Sequence, residues 1–277
     1  MSGQILEVWG DPIAHSLSPS LHTAAYAHLG WNWTYGRRRV GEDRFAAELA
    51  GLDDRHRGLS CTMPLKAVAF AAAESRDDRS ELTGAVNTLL LTEGRRRGYN
   101  TDVGGMVRAL TEHGITAVER VRILGAGATA TSALVALAEM GAREVEILAR
   151  RPTAAGPLVE RGERLGVAVR TGSLMASSPD ARELTVSTIP ADAAMASTTA
   201  GALADAGGAL FDVGYGHGAT TLTAAWHETG ALVVSGEALL LHQALLQIRI
   251  FATADVSEPL PDEAVVLAVM RRALVGG

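Results

Sequence analysis

The chain has 277 residues with 25 basic and 31 acidic side chains, a formal charge of −6, and its length suits one large or two modest domains. The mild acidity argues against nucleic-acid binding, and a single cysteine excludes a disulfide framework and a zinc site of several thiolates. With no leader pattern, no apolar run near the roughly 18 residues of a membrane span and no metal-ligand motif, the sequence predicts a soluble cytoplasmic protein.

The basic residues are unevenly divided, because 24 are arginines and only Lys66 is a lysine. An ammonium group can release its proton in a suitable pocket, whereas a guanidinium group stays charged. Lys66 is therefore a candidate for proton chemistry. The alternative is a surface lysine that survived by chance.

The first hundred residues alternate short apolar runs with helical stretches, which predicts an α/β unit. Ser18 and Pro19 predict the N-cap and first position of a helix that ends near Gly30. Further helices are predicted at residues 42–50 and from 66 to about 73. Strands are predicted at residues 5–9, 33–39 and 58–62, with a hairpin of 85–91 and 97–99 around Glu93 and Gly94.

A helix from 101 to 113 leads into a second alternating unit. Strands are predicted at residues 121–124, 145–149, 167–170, 186–188, 210–213 and 232–234. A helix ending near Gly141 follows the first of these, and two more are predicted at 236–251 and 262–274. Residues 171–182 are rich in serine and predict a surface loop.

The segment Gly125-x-Gly127-x-x-Ala130 fits the dinucleotide fingerprint. It lies between a predicted strand and a predicted helix, which is the context that favours nucleotide binding over a purely structural turn. The next strand ends at Arg150 and Arg151, where an NAD site would carry an acidic residue. Two guanidinium groups suit a 2′-phosphate, so NADP is favoured over NAD, unless the pair is simply solvated.

Six separated motifs occur in an order that resembles the shikimate dehydrogenase family. They are Pro12–Pro19 (PIAHSLSP), Cys61–Lys66 (CTMPLK), Gly84–Thr88 (GAVNT), Asn100–Asp102 (NTD), Phe211–Tyr215 (FDVGY) and Gly236–Gln243 (GEALLLHQ). The resemblance covers essentially the whole chain. It departs from the family pattern at Ser60, where many members have Asn, and at Ala128, Thr131 and Ala149 in and after the glycine loop.

The resemblance implies an α/β fold with an N-terminal substrate domain (1–101), a Rossmann-like doubly wound parallel-sheet domain (102–236) and C-terminal helices (237–277) returning to the first domain. It implies reversible NADPH-dependent reduction of 3-dehydroshikimate to shikimate, in a monomer or homodimer without nucleic-acid or membrane partners. The alternatives are a quinate or aminoshikimate dehydrogenase of the same superfamily, and a non-catalytic nucleotide-binding sensor on the same scaffold.

The resemblance also implies roles for individual residues. Lys66 and Asp102 would form the dyad that supplies and relays a proton, although Asp102 could instead cap its helix. Ser16 and Ser18, which an extended segment would project to one side, would bind the substrate carboxylate with Tyr215. The ring hydroxyls would meet Thr62, Asn87 and Gln243. The cofactor would contact Gly125, Ala126, Gly127, Ala128, Thr129, Arg150, Arg151, Thr188, Val213 and Gly236.

Overall fold

The computed structural model describes residues 3–175, 180–190, 193, 195–206, 208–216 and 218–275. The chain divides into two compact units, one formed by Met1–Gly105 with Leu240–Gly277 and the other by Met106–Leu239. Both divisions fall inside helices, about one helical turn after the domain boundaries proposed from the sequence.

The first unit contains six strands and the helices that cover them. The strands are β1 (Gln4–Gly10), β2 (Trp33–Arg39), β3 (His56–Cys61), β4 (Ser75–Arg76), β5 (Thr88–Thr92) and β6 (Arg95–Tyr99). The helices are α1 (Ser18–His28), α2 (Glu42–Ala50), α3 (Lys66–Ala72), α4 (Asp78–Thr83), the start of α5 (Thr101–Glu112), most of α10 (Gly236–Thr253) and α11 (Glu263–Val275).

These strands form one mixed sheet in the order β2-β1-β3-β5-β6-β4. The first three strands run parallel because helices α1 and α2 return the chain between them. Strands β5 and β6 form the predicted antiparallel hairpin. Its turn places Glu93 and Gly94 at φ values of 56° and 68°, the left-handed region that a tight hairpin requires.

The core of this unit explains why the end of the chain belongs to it. Helix α10 is apolar almost all round, so it is buried rather than amphipathic. Leu241, Leu245 and Ile248 from α10 share one cluster with Leu6 of β1 and Leu21 of α1. The predicted return of the C-terminal helices to the first unit is confirmed.

The second unit is a six-stranded parallel sheet, which confirms the predicted Rossmann-like fold. Its strands are β7 (Arg120–Leu124), β8 (Glu144–Ala149), β9 (Ala168–Ser173), β10 (Leu184–Ser187), β11 (Ala209–Asp212) and β12 (Val233–Ser235), in the order β12-β11-β10-β7-β8-β9. Its helices are α6 (Ala128–Glu139), α7 (Gly156–Leu165), α8 (Ser197–Asp205) and α9 (Thr221–Thr229), with a short 3₁₀ helix at Pro152–Ala155. The strand order reverses between β7 and β10, because β8 and β9 lie on one side of β7 and β10 to β12 on the other, and such folds bind dinucleotides at this point.

The structure corrects two local predictions. The predicted surface loop begins too early, because Thr171 and Ser173 pair with Ile147 and Ala149 as the end of β9. At its other end Arg182 is only 4% exposed, since its guanidinium donates to the Glu144 carboxylate at 3.2 Å. Residues 176–179 of that segment lie outside the described part of the chain. Helices α4, α7, α8 and α9 were not predicted.

Candidate active site

The Lys66 ammonium and the Asp102 carboxylate form a close ion pair in the first unit. Lys66 is the first residue of α3 and Asp102 the second residue of α5. Nζ of Lys66 donates to Oδ2 of Asp102 at 2.5 Å, and the side chains are 16% and 10% exposed. The one lysine of the chain therefore meets the predicted carboxylate in a largely dehydrated setting. Exclusion of water there strengthens the charge-assisted hydrogen bond between the two groups.

Local backbone structure sets the position of Lys66. After β3 the chain turns, and the N–H of Leu65 donates to the carbonyl of Thr62 at 2.7 Å. Leu65 is fully buried and anchors the start of α3. The carbonyl of Lys66 accepts the N–H of Val86 at 3.0 Å, which ties the helix start to the segment that carries Asn87.

Asn100 caps α5, so the alternative role of Asp102 as an ordinary helix cap is not what the structure shows. Oδ1 of Asn100 accepts the N–H of Asp102 at 3.1 Å and that of Val103 at 3.4 Å. Its Nδ2 donates to Thr83 Oγ1 and to the Ala85 carbonyl, at 2.9 and 3.1 Å. The Asp102 carboxylate is thereby left for other partners.

Asn87 is the second partner of that carboxylate. Its Nδ2 donates to Asp102 Oδ1 at 2.8 Å, and its Oδ1 accepts the backbone N–H of Thr101 at 2.9 Å. Because the backbone N–H can only donate, it determines which end of the amide faces the carboxylate. Both oxygens of Asp102 are thus engaged, one by Asn87 and the other by Lys66.

The serine pair lies at the start of α1, but not in the predicted geometry. The helix begins at Ser18, and Leu17 occupies the N-cap position with helical angles of −88° and −5°. The two serines are therefore not joined by an extended residue. Oγ of Ser16 instead accepts the N–H of Ser18 at 3.3 Å, which satisfies an amide that the helix leaves free. Ser18 is buried and Ser16 half-buried.

Thr62 and Gln243 each donate a hydrogen bond to a backbone carbonyl. Thr62 is half-buried just after β3, and its N–H donates to the Trp9 carbonyl at 2.9 Å. Gln243 is 8% exposed, and its Nε2 donates to the carbonyl of Leu240 on its own helix at 3.0 Å. A Cβ at Gly105 would lie 2.8 Å from Cβ of Gln243, so glycine is needed for the close approach of α5 and α10.

Three further polar residues lie near this site, namely Tyr35, Ser60 and Gln247, and of these only Ser60 was noted from the sequence. The Tyr35 hydroxyl donates to Ser60 Oγ at 2.6 Å, and Ser60 donates to Gln247 Oε1 at 2.8 Å. Ser60, where many family members have Asn, is thus turned into the core. The available signal was Gln247 itself, an amide one turn after Gln243 and between the apolar residues Leu246 and Ile248.

In the second unit, the glycine loop follows β7 as predicted. Gly125 has a φ of 107°, and a Cβ there would lie 2.4 Å from Oγ1 of Thr188. Only glycine satisfies both conditions. Thr188 Oγ1 itself donates to the Leu124 carbonyl at 2.8 Å, so the loop and the end of β10 are held together.

The beginning of α6 fits a dinucleotide. Gly127 is the N-cap, and a Cβ on it would meet no atom within 4 Å, so its backbone faces open space. Ala126 is half-buried, Ala128 is exposed as the first residue of α6, and Thr129 is half-buried beside it. Free amides and a helix dipole at this point suit a pyrophosphate.

The other predicted cofactor residues follow the carboxyl ends of the parallel strands of this unit. Arg150 and Arg151 are exposed after β8, as a contact with a 2′-phosphate would require. Val213 follows β11 and its N–H donates to the Ser187 carbonyl at 3.0 Å. A Cβ at Gly236 would lie 2.3 Å from the Val213 carbonyl oxygen, so glycine is required there. Tyr215 is 39% exposed in the segment after β11.

The described residues also include one buried thiol, that of Cys61. Burial raises the pKa of the Cys61 thiol to about 12, which keeps it protonated. Across those residues no group of three or more His, Cys, Asp or Glu side chains is suited to hold a metal ion. None of the helices described combines the length and apolar character that crossing a membrane demands.

Comparisons with known proteins identify the family of the chain. Residues 8–89 match the family described as the shikimate dehydrogenase substrate binding domain. A shikimate dehydrogenase (NADP(+)) of Methanothermobacter thermautotrophicus is 33% identical over 261 residues, covering 90% of each chain.

Solved structures extend the similarity to the whole fold. The Mycobacterium tuberculosis shikimate dehydrogenase has a TM-score of 0.87 and 38% identity, covering 99% of this chain and 100% of that one. The Thermus thermophilus shikimate 5-dehydrogenase in complex with NADP(H) and shikimate has a TM-score of 0.80 and 28% identity, covering 98% and 99%. The chain described here belongs to the shikimate dehydrogenase family.

Proposed function

We propose that the chain catalyses the reversible NADPH-dependent reduction of 3-dehydroshikimate to shikimate. The observation that carries the proposal is the Lys66–Asp102 ion pair at 2.5 Å, with Asn87 on the second carboxylate oxygen. A relative named shikimate dehydrogenase (NADP(+)) aligns with 90% of the chain, and a solved structural neighbour is in complex with both NADP(H) and shikimate.

Reduction of a ketone needs a hydride at carbon and a proton at oxygen. When bound, NADPH supplies the hydride. Lys66 is proposed to hydrogen-bond the ketone oxygen and to donate a proton as negative charge develops there. Asp102 holds the ammonium in place, and after the transfer its carboxylate can relay a proton from water to the neutral amine. In the oxidation of shikimate the same pair accepts the hydroxyl proton.

Six polar side chains from the sequence motifs are proposed to recognise the substrate. Ser16, Ser18 and Tyr215 are proposed to bind the carboxylate. Thr62, Asn87 and Gln243 are proposed to bind the ring hydroxyls. Support comes from the burial of Ser18 and Asn87, since hydroxyls and amides that line a dehydrated site discriminate strongly by hydrogen bonding.

The cofactor is proposed to bind along the carboxyl edge of the second sheet. Gly125, Ala126, Gly127, Ala128 and Thr129 would hold the pyrophosphate, and Arg150 and Arg151 the 2′-phosphate. Thr188, Val213 and Gly236 would line the path towards the nicotinamide. The positive φ of Gly125 and the open face of Gly127 support this assignment.

The decisive experiment is an activity matrix. Purified protein is assayed with shikimate, quinate and aminoshikimate, each with NADP and NAD, and kcat/KM is compared. We expect shikimate with NADP to give the highest value. A higher value with quinate or aminoshikimate would reassign the substrate. No turnover in a folded sample, with a ligand response that survives Lys66→Ala, would favour a nucleotide-binding sensor.

Cytoplasmic location, a monomeric or homodimeric state and the absence of nucleic-acid partners stay predictions of the sequence. The first is tested by cell fractionation and the second by sedimentation at several protein concentrations.

A further inference from the structure

A chain of buried hydrogen bonds leads from the sheet core to the ion pair. We call it the buried chain, and it consists of Tyr35, Ser60, Gln247, Thr88 and Asn87. These residues are 8%, 4%, 2%, 0% and 3% exposed. All belong to the first unit. Because water is excluded, each polar group must find its partner inside the protein.

Gln247 is the central link. Its Nε2 donates to Thr88 Oγ1 at 3.1 Å and to the Asn87 carbonyl at 3.2 Å. Its Oε1 accepts from Ser60 Oγ at 2.8 Å. The side chain uses a donor towards the ion pair and an acceptor towards the core, and an amide carries both groups at one end of a side chain.

The direction of every bond follows from two backbone groups, the N–H of Thr101, which can only donate, and the carbonyl of Asn87, which can only accept. The N–H of Thr101 donates to Asn87 Oδ1, which makes that oxygen an acceptor. Thr88 therefore donates its hydroxyl hydrogen to the same oxygen, at 2.8 Å. The Thr88 oxygen is then free to accept from Gln247.

The remaining bonds continue in the same sense. The Ser60 hydroxyl donates to Gln247, and its oxygen accepts the Tyr35 hydroxyl at 2.6 Å. At the opposite end, Nδ2 of Asn87 donates to Asp102. The orientation of the amide that faces the reacting pair is thus coupled to an amide that touches neither member of it.

We propose that Gln247 is a positioning residue for the Lys66–Asp102 pair, acting through the Thr88 hydroxyl on the Asn87 amide. The inference rests on the proposed function. It deepens that function by assigning a role to a residue that contacts neither of the two reacting side chains.

Stability alone is a poor reason for this amide. Gln247 is buried and adjoins the buried apolar residues Leu246 and Ile248 in the sequence of α10. An apolar side chain would therefore suit its position. Replacing buried hydrogen-bonding groups by apolar ones of similar shape is often nearly neutral, provided that every partner is replaced. Retaining the amide is explained if its direction matters for Asp102.

The first test replaces Gln247 by methionine, which has similar length and no hydrogen-bonding amide. We expect kcat for shikimate oxidation to fall roughly tenfold, the effect of losing about one well-formed hydrogen bond at the site. The KM for NADP should change less than about twofold. In the pH profile of kcat, the limb that reports the Lys66–Asp102 pair should also have a different apparent pKa from that of the parent protein. Ile248→Val, a buried change on the same helix, is the matched control and should leave this profile unchanged.

The second test removes only the intermediate hydroxyl, with Thr88→Val. This variant should reproduce the loss of kcat and the displaced pH profile. In the double variant the two losses should not add, because both break the same path. If Gln247→Met fails to fold, Thr88→Val alone decides the question.

A readout independent of turnover separates this inference from the proposed function. In nitrogen-15 spectra, the Asn87 side-chain amide should exchange slowly in the parent protein and faster in both variants. Parental kcat and pH profile in folded Gln247→Met or Thr88→Val, or unchanged exchange, would overturn the role of Gln247. A parent without shikimate turnover would overturn the proposed function, while the exchange result would still report on the buried chain.

Discussion

The side-chain oxygen of Asn100 accepts the backbone N–H of Asp102 at 3.1 Å, so the residue that caps α5 is not the residue that pairs with Lys66. A carboxylate at the start of a helix is ordinarily drawn to the free amides there. Because Asn100 satisfies two of them, the Asp102 side chain can turn away from its own helix. A local cap thereby makes a long-range ion pair possible.

Replacing Asn100 by alanine should harm both stability and turnover. The cap and two buried donor bonds are lost together, so the free energy of unfolding should fall by about 2–3 kcal/mol. The freed amides should compete for the Asp102 carboxylate, and kcat should drop more than KM rises. Urea unfolding and steady-state kinetics measure the two effects. Asn100→Asp keeps the accepting oxygen, so equal losses of kcat in both variants would contradict the role of the cap.

Exchanging Lys66 for arginine should abolish most activity while preserving charge. A guanidinium group can still pair with Asp102 but does not release its proton in the working range. We expect kcat to fall by roughly 10²–10⁴-fold, the usual contribution of a general acid or base. Binding of NADPH, followed by fluorescence, should remain within about twofold. Arg143→Lys, an exposed exchange in the second unit, is the control, and activity retained in Lys66→Arg would refute the proton role.

Gly127→Ala should weaken cofactor binding without weakening the fold. Its Cβ would meet no protein atom within 4 Å, yet it would project where the pyrophosphate is proposed to lie. The Tm should stay within a few degrees of the parent, while the Kd for NADPH rises roughly tenfold or more. Gly201→Ala in α8, equally free of neighbours, serves as the comparison. Equal Kd values for NADPH in the two variants would contradict the proposal that this loop binds the pyrophosphate.

Arg150→Ala should reduce the preference for NADP over NAD. The exposed guanidinium would lose its charge-assisted bonds to the 2′-phosphate, which NAD lacks. We expect kcat/KM with NADP to fall roughly tenfold and that with NAD to change little. Arg170→Ala, on the neighbouring strand β9, controls for the general loss of positive charge. A parallel fall with both nucleotides would rule out the phosphate contact.

His22 should make the first unit sensitive to acid. Its pKa is lowered from 6.5 to about 3, chiefly because burial disfavours the charged imidazolium. Between those values the unfolded chain binds a proton that the folded chain does not, so stability declines as the pH falls below about 6.5. The slope is at most about 1.4 kcal/mol per pH unit, and above pH 6.5 the contribution is constant.

His22→Phe should remove this slope, although it also loses the bond of Nδ1 with the Tyr26 hydroxyl. The variant should therefore be less stable at pH 7.5 and approach the parent near pH 5. Urea unfolding at several pH values measures the difference, with His28→Gln on the same helix as the control. Parallel stability curves would contradict the assignment.

Much of the fold could be predicted because its signals are local. Strand β2 and helix α2 occupy the predicted residues, since alternation and helical period are read within one element. Helix α7 was missed because Pro157 and two glycines, Gly156 and Gly162, obscure its period, while the packing of Leu158 stabilises it. The cap at Ser18 was one residue off, a displacement typical of helix ends.

The candidate site divides in the same way. Lys66, Asp102 and the glycine loop stand in motifs of a few adjacent residues, so the order of amino acids alone determined their likeness to one family. Gln247 lies 159 residues from Thr88 along the chain, and Ser60 lies 25 from Tyr35. Only tertiary structure decided that these groups meet. Which buried polar groups form hydrogen bonds depends on which elements pack together and exclude water between them. A local sequence pattern does not show this packing.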